Sequence, residues 1–212
     1  MKLHGILGIG DFGVNCYIVE TDQKNALIID APWDAELISR EIDRLGLSLK
    51  MILLTHGHVD HTEALGGLVE KYACEVYIHK GDADALTSSY LSFADYLGVG
   101  FTPFYGAKTL SDGDTITLDG EALRVIHTPG HSAGSVCYMH DDCIFTGDTL
   151  FNLSVGRTDN PNGDFEQEIR SIGKLFREAG RNYVIYPGHG EASDLEFEMK
   201  YNPFLEALRT GK

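Results

Sequence analysis

Thr55–His56–Gly57–His58–Val59–Asp60–His61 puts three imidazoles and a carboxylate into one short stretch. Those are the ligand types that divalent transition metals take in hydrolytic sites. His56 and His58 are two apart and, in extended chain, project to the same side. Asp60 and His61 come after the chain turns toward the next helix and so face a neighbouring point. An imidazole pair beside a displaced carboxylate–imidazole pair predicts two metal sites side by side. Three further candidates lie downstream: His131 in Thr128–Pro129–Gly130–His131, Asp148 in Thr146–Gly147–Asp148–Thr149, and His189 in Pro187–Gly188–His189–Gly190. Each follows an apolar strand and sits beside a glycine, which permits a tight turn and a close backbone approach. One histidine at a strand end is ordinarily structural. Seven such groups at the same edge predict a dinuclear centre.

The elements that must carry these groups read as alternating strands and helices. Val14–Glu20 and Ala26–Asp30 form an opening hairpin turned at Asp22–Asn25. Asp34–Leu45 is an amphipathic helix capped by Asp34 and stopped by Gly46. Lys50–Thr55 is a buried strand, and Leu65, Leu68, Val69 and Tyr72 form the apolar stripe of a second helix. Short strands follow at Glu75–His79, Thr115–Leu118, Leu123–His127, Ser135–His140 and Cys143–Thr146. Asp164–Ala179 is a helix with an acidic cap and Gln167 three residues on. Tyr183–Tyr186 is a last strand, and Glu191–Leu208 a helix broken at Pro203. This order predicts two sheets packed face to face with helices outside, in a single domain spanning 1–212.

Two segments resist a simple reading. Gly8–Ile9–Gly10–Asp11–Phe12–Gly13 fits the dinucleotide fingerprint, but a β-branched and aromatic strand follows it where that motif needs a helix. A dinucleotide site is therefore not expected. Ser88–Tyr105 holds six aromatics, and it reads either as a helix and loop packing rings into the core or as a lid over a site.

Composition limits the partners. The chain has 212 residues, 17 basic against 32 acidic, for a formal charge of −15. So acidic a surface excludes a nucleic-acid groove and a face for anionic lipid. It also disfavours anionic substrates, unless bound cations reverse the sign at the site. No apolar run is long enough to span a membrane. No targeting segment is recognisable, and the four cysteines form no C-x-x-C pair, so a cytoplasmic protein with reduced thiols is expected.

The THGHVDH segment, with His131, Asp148 and His189 in that order, resembles the metallo-β-lactamase superfamily. Val14–Asn15–Cys16–Tyr17–Ile18–Val19, Thr128–Ser135 and Gly147–Phe151 leading to Ser154–Asp159 bring it nearer to glyoxalase II, the hydroxyacylglutathione hydrolases, and its short bacterial relatives. The resemblance implies an α+β fold, the four-layer αββα sandwich of that superfamily. It assigns His56, His58 and His131 to a first metal, Asp60, His61 and His189 to a second, and Asp148 to both. The implied cofactors are two divalent ions, zinc first, with iron or manganese as alternatives.

By the same resemblance the activity is hydrolysis of a small thioester of the S-lactoylglutathione type. A hydroxide bridging the metals attacks the carbonyl, and Asp60 is the catalytic residue that orients it and holds its proton. A thiolate leaves without a strong acid, because its conjugate acid has a pKa of about 8.5. Full-length glyoxalase II enzymes hold glutathione with basic residues of a C-terminal helical domain, for which the 23 residues after His189 leave no room. Arg157 is the one basic residue just beyond Asp148, and its expected role is to pair with Asp159 or Asp164 and fix the loop. Lactone or ester hydrolysis is a lesser variant. Persulfide dioxygenases, similar over the same motifs, are the alternative from another class, with one iron on His56, His131 and Asp148. A nuclease is excluded by charge, and a β-lactamase is not expected without an export signal.

Overall fold

The computed structural model describes residues 1–210; the last two positions of the expected 1–212 domain lie outside them. One six-stranded sheet has the order β1 (Lys2–Ile9), β2 (Val14–Glu20), β3 (Asn25–Ile29), β4 (Ser48–Leu53), β5 (Glu75–His79), β6 (Lys108–Leu110). It is antiparallel through β3 and parallel from β3 to β6. The second is built from β7 (Thr115–Leu118), β8 (Glu121–His127), β9 (Val136–Met139), β10 (Cys143–Gly147), β13 (Val184–Pro187) and β14 (Ser193–Asp194), with β10 and β13 parallel. A two-stranded ribbon, β11 (Leu150–Phe151) and β12 (Ser154–Val155), lies between β10 and β13 in sequence.

Period-two alternation decides the layers. Every residue of β2 is buried, which only a strand covered on both faces allows. Tyr17 and Val19 join Leu27, Ile29 and Leu53 against Leu123, Val125, Val136, Tyr138 and Phe145 of the other sheet. Cys16 and Ile18 point the opposite way, into a layer with Ile38 and Ile42 of α1 (Ala35–Arg44) and Leu65 and Leu68 of α3 (Leu65–Tyr72). The outer face of the second sheet, Ile126, Cys137, Ile144 and Ile185, is covered by Ile172 and Leu175 of α5 (Phe165–Ala179) and by Leu195 of α6 (Leu195–Tyr201). This is the four-layer αββα sandwich.

Asp34 caps α1 by accepting the Leu37 N–H, and Asp164 caps α5 by accepting the Gln167 N–H, as expected. Some boundaries differ. Lys2–Ile9 is an edge strand, concealed in the sequence by Gly5 and Gly8. The turn Gly10–Gly13 joins it to β2 as a hairpin, so the glycine-rich segment opens no helix. The expected helix Glu191–Leu208 is replaced by β14, then α6 capped by Asp194, a 3-10 turn Pro203–Leu205 and α7 (Glu206–Thr210). Backbone pairing of Ser193 with Ile185 delays the helix start.

Ser88–Tyr105 divides between its two readings. Phe93 is buried and Phe104 packs on the first core, whereas Tyr90, Tyr96 and Tyr105 are exposed. Its only regular element is α4 (Ala94–Leu97). All four cysteines are free and buried. Burial pushes the thiols up, to about 11 for Cys74 and about 12 for Cys137 and Cys143, so none is poised for redox chemistry. Among the described residues no helix is long and apolar enough to cross a membrane.

Candidate metal centre

Four strand ends deliver the predicted residues to one place. His56 and His58 follow β4, with Asp60 and His61 on the single turn α2 (Val59–Thr62); His131, Asp148 and His189 follow β8, β10 and β13. The two sheets are stitched at this edge by Val136 N–H to Thr55 O at 2.9 Å and Asn15 N–H to Gly188 O at 2.7 Å. Gly188 lies against the cluster so closely that a Cβ there would overlap Asp148 Oδ1 and approach His61 Cε1 to 2.8 Å.

All seven groups converge. His131 Nε2 lies 3.2 Å from His56 Nε2 and 2.9 Å from His58 Nδ1. His61 Nε2 lies 3.3 Å from His189 Nε2, with Asp60 Oδ2 3.9 Å and 3.7 Å from the two. Asp148 stands between the groups, 3.4 Å from His61, 3.5 Å from His131 and 3.4 Å from His189. Three sets have ligand atoms within 4.8 Å of one another: His56–His58–His131, Asp60–His61–His189 and His56–His61–Asp148.

Whether these residues suit a cation is decided by their outer nitrogens. His131 Nδ1–H donates to Arg157 O at 2.7 Å and His189 Nδ1–H to Phe12 O at 3.0 Å. His61 Nδ1–H donates to Asp30 Oδ2 at 2.9 Å. Thr55 Oγ1 gives its proton to Asp30 and so accepts from His56 Nδ1 at 3.1 Å. Each of these four rings therefore turns a lone pair inward, where it meets other lone pairs, an arrangement stable only around a cation. His58 turns Nδ1 inward, and its buried Nε2 has no partner. Asp148 Oδ1, buried and without a hydrogen-bond partner, points to the same requirement. The residues fit a pair of metal ions.

The electrostatics divide along the same line. Burial, reinforced by the neighbouring imidazoles, pushes His56 and His58 well below the ordinary imidazole range. Burial would lower His61 too, but Asp148, Asp60 and Asp30 outweigh it and raise it to about 10. His189 is raised over the cost of its burial by Asp148 and Asp60. Burial disfavours the Asp148 carboxylate, yet His189 and His61 hold it well below the carboxylate range.

Three acidic residues that sequence reasoning passed over hold the loops. Asp30, buried at a left-handed φ of 61°, accepts from Thr55 N–H, Thr55 Oγ1 and His61. Its signal was present: it ends an apolar strand, just as the predicted residues do. Asp82, buried, accepts from Gly57 N–H at 3.0 Å, Ser132 Oγ at 2.6 Å and Gly134 N–H at 2.6 Å, locking the two loops that carry His58 and His131. Glu168 accepts the His131 N–H at 2.8 Å, and burial pushes its carboxyl up to about 9. Nothing in the sequence around Asp82 or Glu168 sets them apart.

The centre opens into a cavity of about 170 Å³, where Phe12, Phe93, Leu97 and Arg157 face His58, Asp60, His131, Asp148 and His189. Arg157 makes the expected pair with Asp159, two-pronged at 2.7 and 2.8 Å, while Asp164 is used as a helix cap.

Comparison with known proteins agrees with this geometry. The Metallo-beta-lactamase superfamily pattern matches residues 9–189. Hydroxyacylglutathione hydrolase GloC of Haemophilus influenzae is 34% identical over 206 residues, covering 95% of this chain and 97% of its own. The crystal structure of the B3 metallo-beta-lactamase BLEG-1 superposes with a TM-score of 0.91 at 32% identity, over 97% of this chain and 100% of that one. TTHA1623, solved in a di-iron-bound form, superposes with a TM-score of 0.85 at 33% identity, over 95% of this chain and 100% of its own. Fold, ligand-like cluster and sequence match together establish that the chain belongs to the metallo-beta-lactamase superfamily.

Proposed function

We propose that this protein is a dinuclear-metal-dependent hydrolase of small thioesters, of the glyoxalase II type. The observation that carries this reading is the inward convergence of seven side chains, with the outer nitrogens of His56, His61, His131 and His189 already committed to partners. In it His56, His58 and His131 hold one ion, Asp60, His61 and His189 the other, and Asp148 touches both. When bound, such ions polarise a carbonyl oxygen and lower the pKa of coordinated water from 15.7 to about 7.

The chain's own residues do the rest. Asp60, at the open side of the cluster, orients the attacking water and holds its proton on a carboxylate oxygen. Phe12, Phe93 and Leu97 keep bulk water from the reacting carbonyl, which strengthens every polar interaction inside. The cavity has room for about five water-sized groups, which suits a short acyl chain. Among the described residues lining the mouth, the only proton-bearing side chain outside the cluster is Arg157, a permanent cation paired with Asp159, and a thiolate, unlike an amide nitrogen, needs no acid. We place the protein in the cytoplasm, supported by its four free, buried thiols.

Zinc is the metal we propose, and the di-iron form of TTHA1623 makes iron the alternative. The test is elemental analysis of the purified protein alongside a panel of thioesters, lactones and esters. Two metals per chain and metal-dependent thioester turnover are expected; no turnover above the uncatalysed rate would sink the reading. One iron per chain, with oxygen uptake on glutathione persulfide, would make it a dioxygenase instead. The likeness to BLEG-1 favours a second hydrolytic reading, opening of a cyclic amide, in which Asp60 must return its proton to nitrogen. A chromogenic cephalosporin in the same panel separates the two.

A further inference from the structure

Beside the metal cavity lies a larger one of about 470 Å³, in which Tyr90, Phe93, Tyr96, Asp95, Asp159 and Asn160 meet. Phe93 lines both and forms the wall they share. Phe93 is held at a left-handed φ of 66°, a costly conformation for an aromatic residue and one that persists where structure around it demands it. Its ring stacks on Tyr96 with centroids 4.4 Å apart. Asn160 is 7% exposed, and its Oδ1 has no hydrogen-bond partner in the protein.

Charge gives the cavity its sign. The one cation at the boundary, Arg157, lies 5.1 Å from the Phe93 ring and 5.5 Å from Tyr96, and is matched by Asp159. Asp95, exposed, has no basic partner among the described residues, so the cavity carries one uncompensated negative charge beside the exposed rings of Tyr90 and Tyr96. Carboxylates and aromatic faces together attract ammonium groups and repel carboxylates. The metals reverse the sign only where they bind.

We infer that this cavity is a subsite for an ammonium group at the far end of the substrate, so that leaving groups carrying an ammonium are preferred over those that carry only a carboxylate. The inference rests on the hydrolase reading for its substrate but not for its binding chemistry, and the test keeps the two apart. With the metal-loaded protein, kcat/KM is compared for three thioesters of one acyl group. They are acetylthiocholine, its uncharged carbon isostere S-(3,3-dimethylbutyl) thioacetate, and S-acetyl-3-mercaptopropionate. Acetylthiocholine is expected to lead the isostere by about tenfold and the anionic ester by more, with Asp95→Asn narrowing both gaps.

Independently of turnover, tetramethylammonium, which offers a metal no donor atom, should shift the Tyr90 and Tyr96 ring resonances at millimolar concentration. Asp95→Asn and added salt should weaken that shift. Unmoved rings, a shift indifferent to Asp95→Asn, or an anionic ester as good as the cationic one would overturn the subsite. Binding of tetramethylammonium without hydrolysis of any thioester would remove the hydrolase reading and leave the subsite standing.

Discussion

The two halves of the centre differ in how they are built. His56, His58 and His131 are sealed, at 1%, 4% and 2% exposure, while the His189 side chain is 27% exposed and Asp60 13%. The sealed half is braced by Asp82, which ties two loops of the protein body together. The open half is braced by Asp30, which lies directly behind His61 and reaches His56 of the sealed half only through Thr55, and by a single backbone carbonyl, Phe12 O, behind His189. In the sealed half burial disfavours protons on His56 and His58; in the open half carboxylates draw positive charge onto His61 and His189. The difference is one of access: one half is sealed throughout, and the other joins a fully buried His61 to His189 and Asp60, which reach solvent.

The largest expected effects test that difference directly. Asp148→Asn removes the one carboxylate shared by both halves and should cost about a thousandfold or more in kcat, read by steady-state assay. His189→Ala should lower bound metal toward one per chain, whereas His58→Ala, which removes a ligand from the sealed half, should lower it further, both read by elemental analysis after dialysis. If the two variants lose metal identically, the halves are not distinct.

Smaller effects come from the bracing carboxylates, where loss of an outer partner costs about 10–100-fold in metal affinity or activity. Asp30→Asn should weaken the second metal equivalent more than the first, and Asp82→Asn the reverse, measured by competition with a chelating indicator. Equal weakening of both equivalents in each variant would merge the two halves into one.

The smallest effect lies outside the centre. His79, 3% exposed and stacked on His127 with ring centroids 3.9 Å apart, is pushed down to about 4 by burial, with His127 and Lys80 adding to it. An unfolded histidine titrates near about 6.5, so between the two values the unfolded chain holds the extra proton. Stability contributed by neutral His79 is present above about pH 6.5 and is lost as pH falls toward 4. His79→Gln should flatten that slope in denaturant unfolding run from pH 7 to pH 4.5. An unchanged slope would show that His79 does not report on the packing of β5 against β8.

The candidate ligands were legible from short motifs: His56, His58, His131, Asp148 and His189 each adjoin a glycine just past an apolar strand, and Asp60 and His61 complete the run begun at His56. The buried strands were legible as apolar runs: Val14–Glu20 and Cys143–Thr146 have no polar alternation to confuse them. What escaped was set by long-range contacts. Asp82 and Glu168 look like surface acids until folding brings loops from elsewhere against them, and Lys2–Ile9 pairs at an edge with only part of one face packed. A strand follows the Gly8–Gly13 loop, as its β-branched and aromatic residues predict, yet the loop's use, supplying Phe12 O to His189, depends on a contact across nearly the whole chain.

That contact has a consequence for how the protein is made. Val14 bridges His189, and Asn15 donates to Gly188, so these contacts of the first hairpin must wait for the loop that follows β13. At a synthesis rate of about 5–20 residues per second, His189 emerges many seconds after the hairpin does. The sealed half needs nothing beyond α5, so it is the part of the centre that can take shape during translation. The open half closes only at the end, making assembly of the complete centre a late, all-chain event that no N-terminal fragment can rehearse.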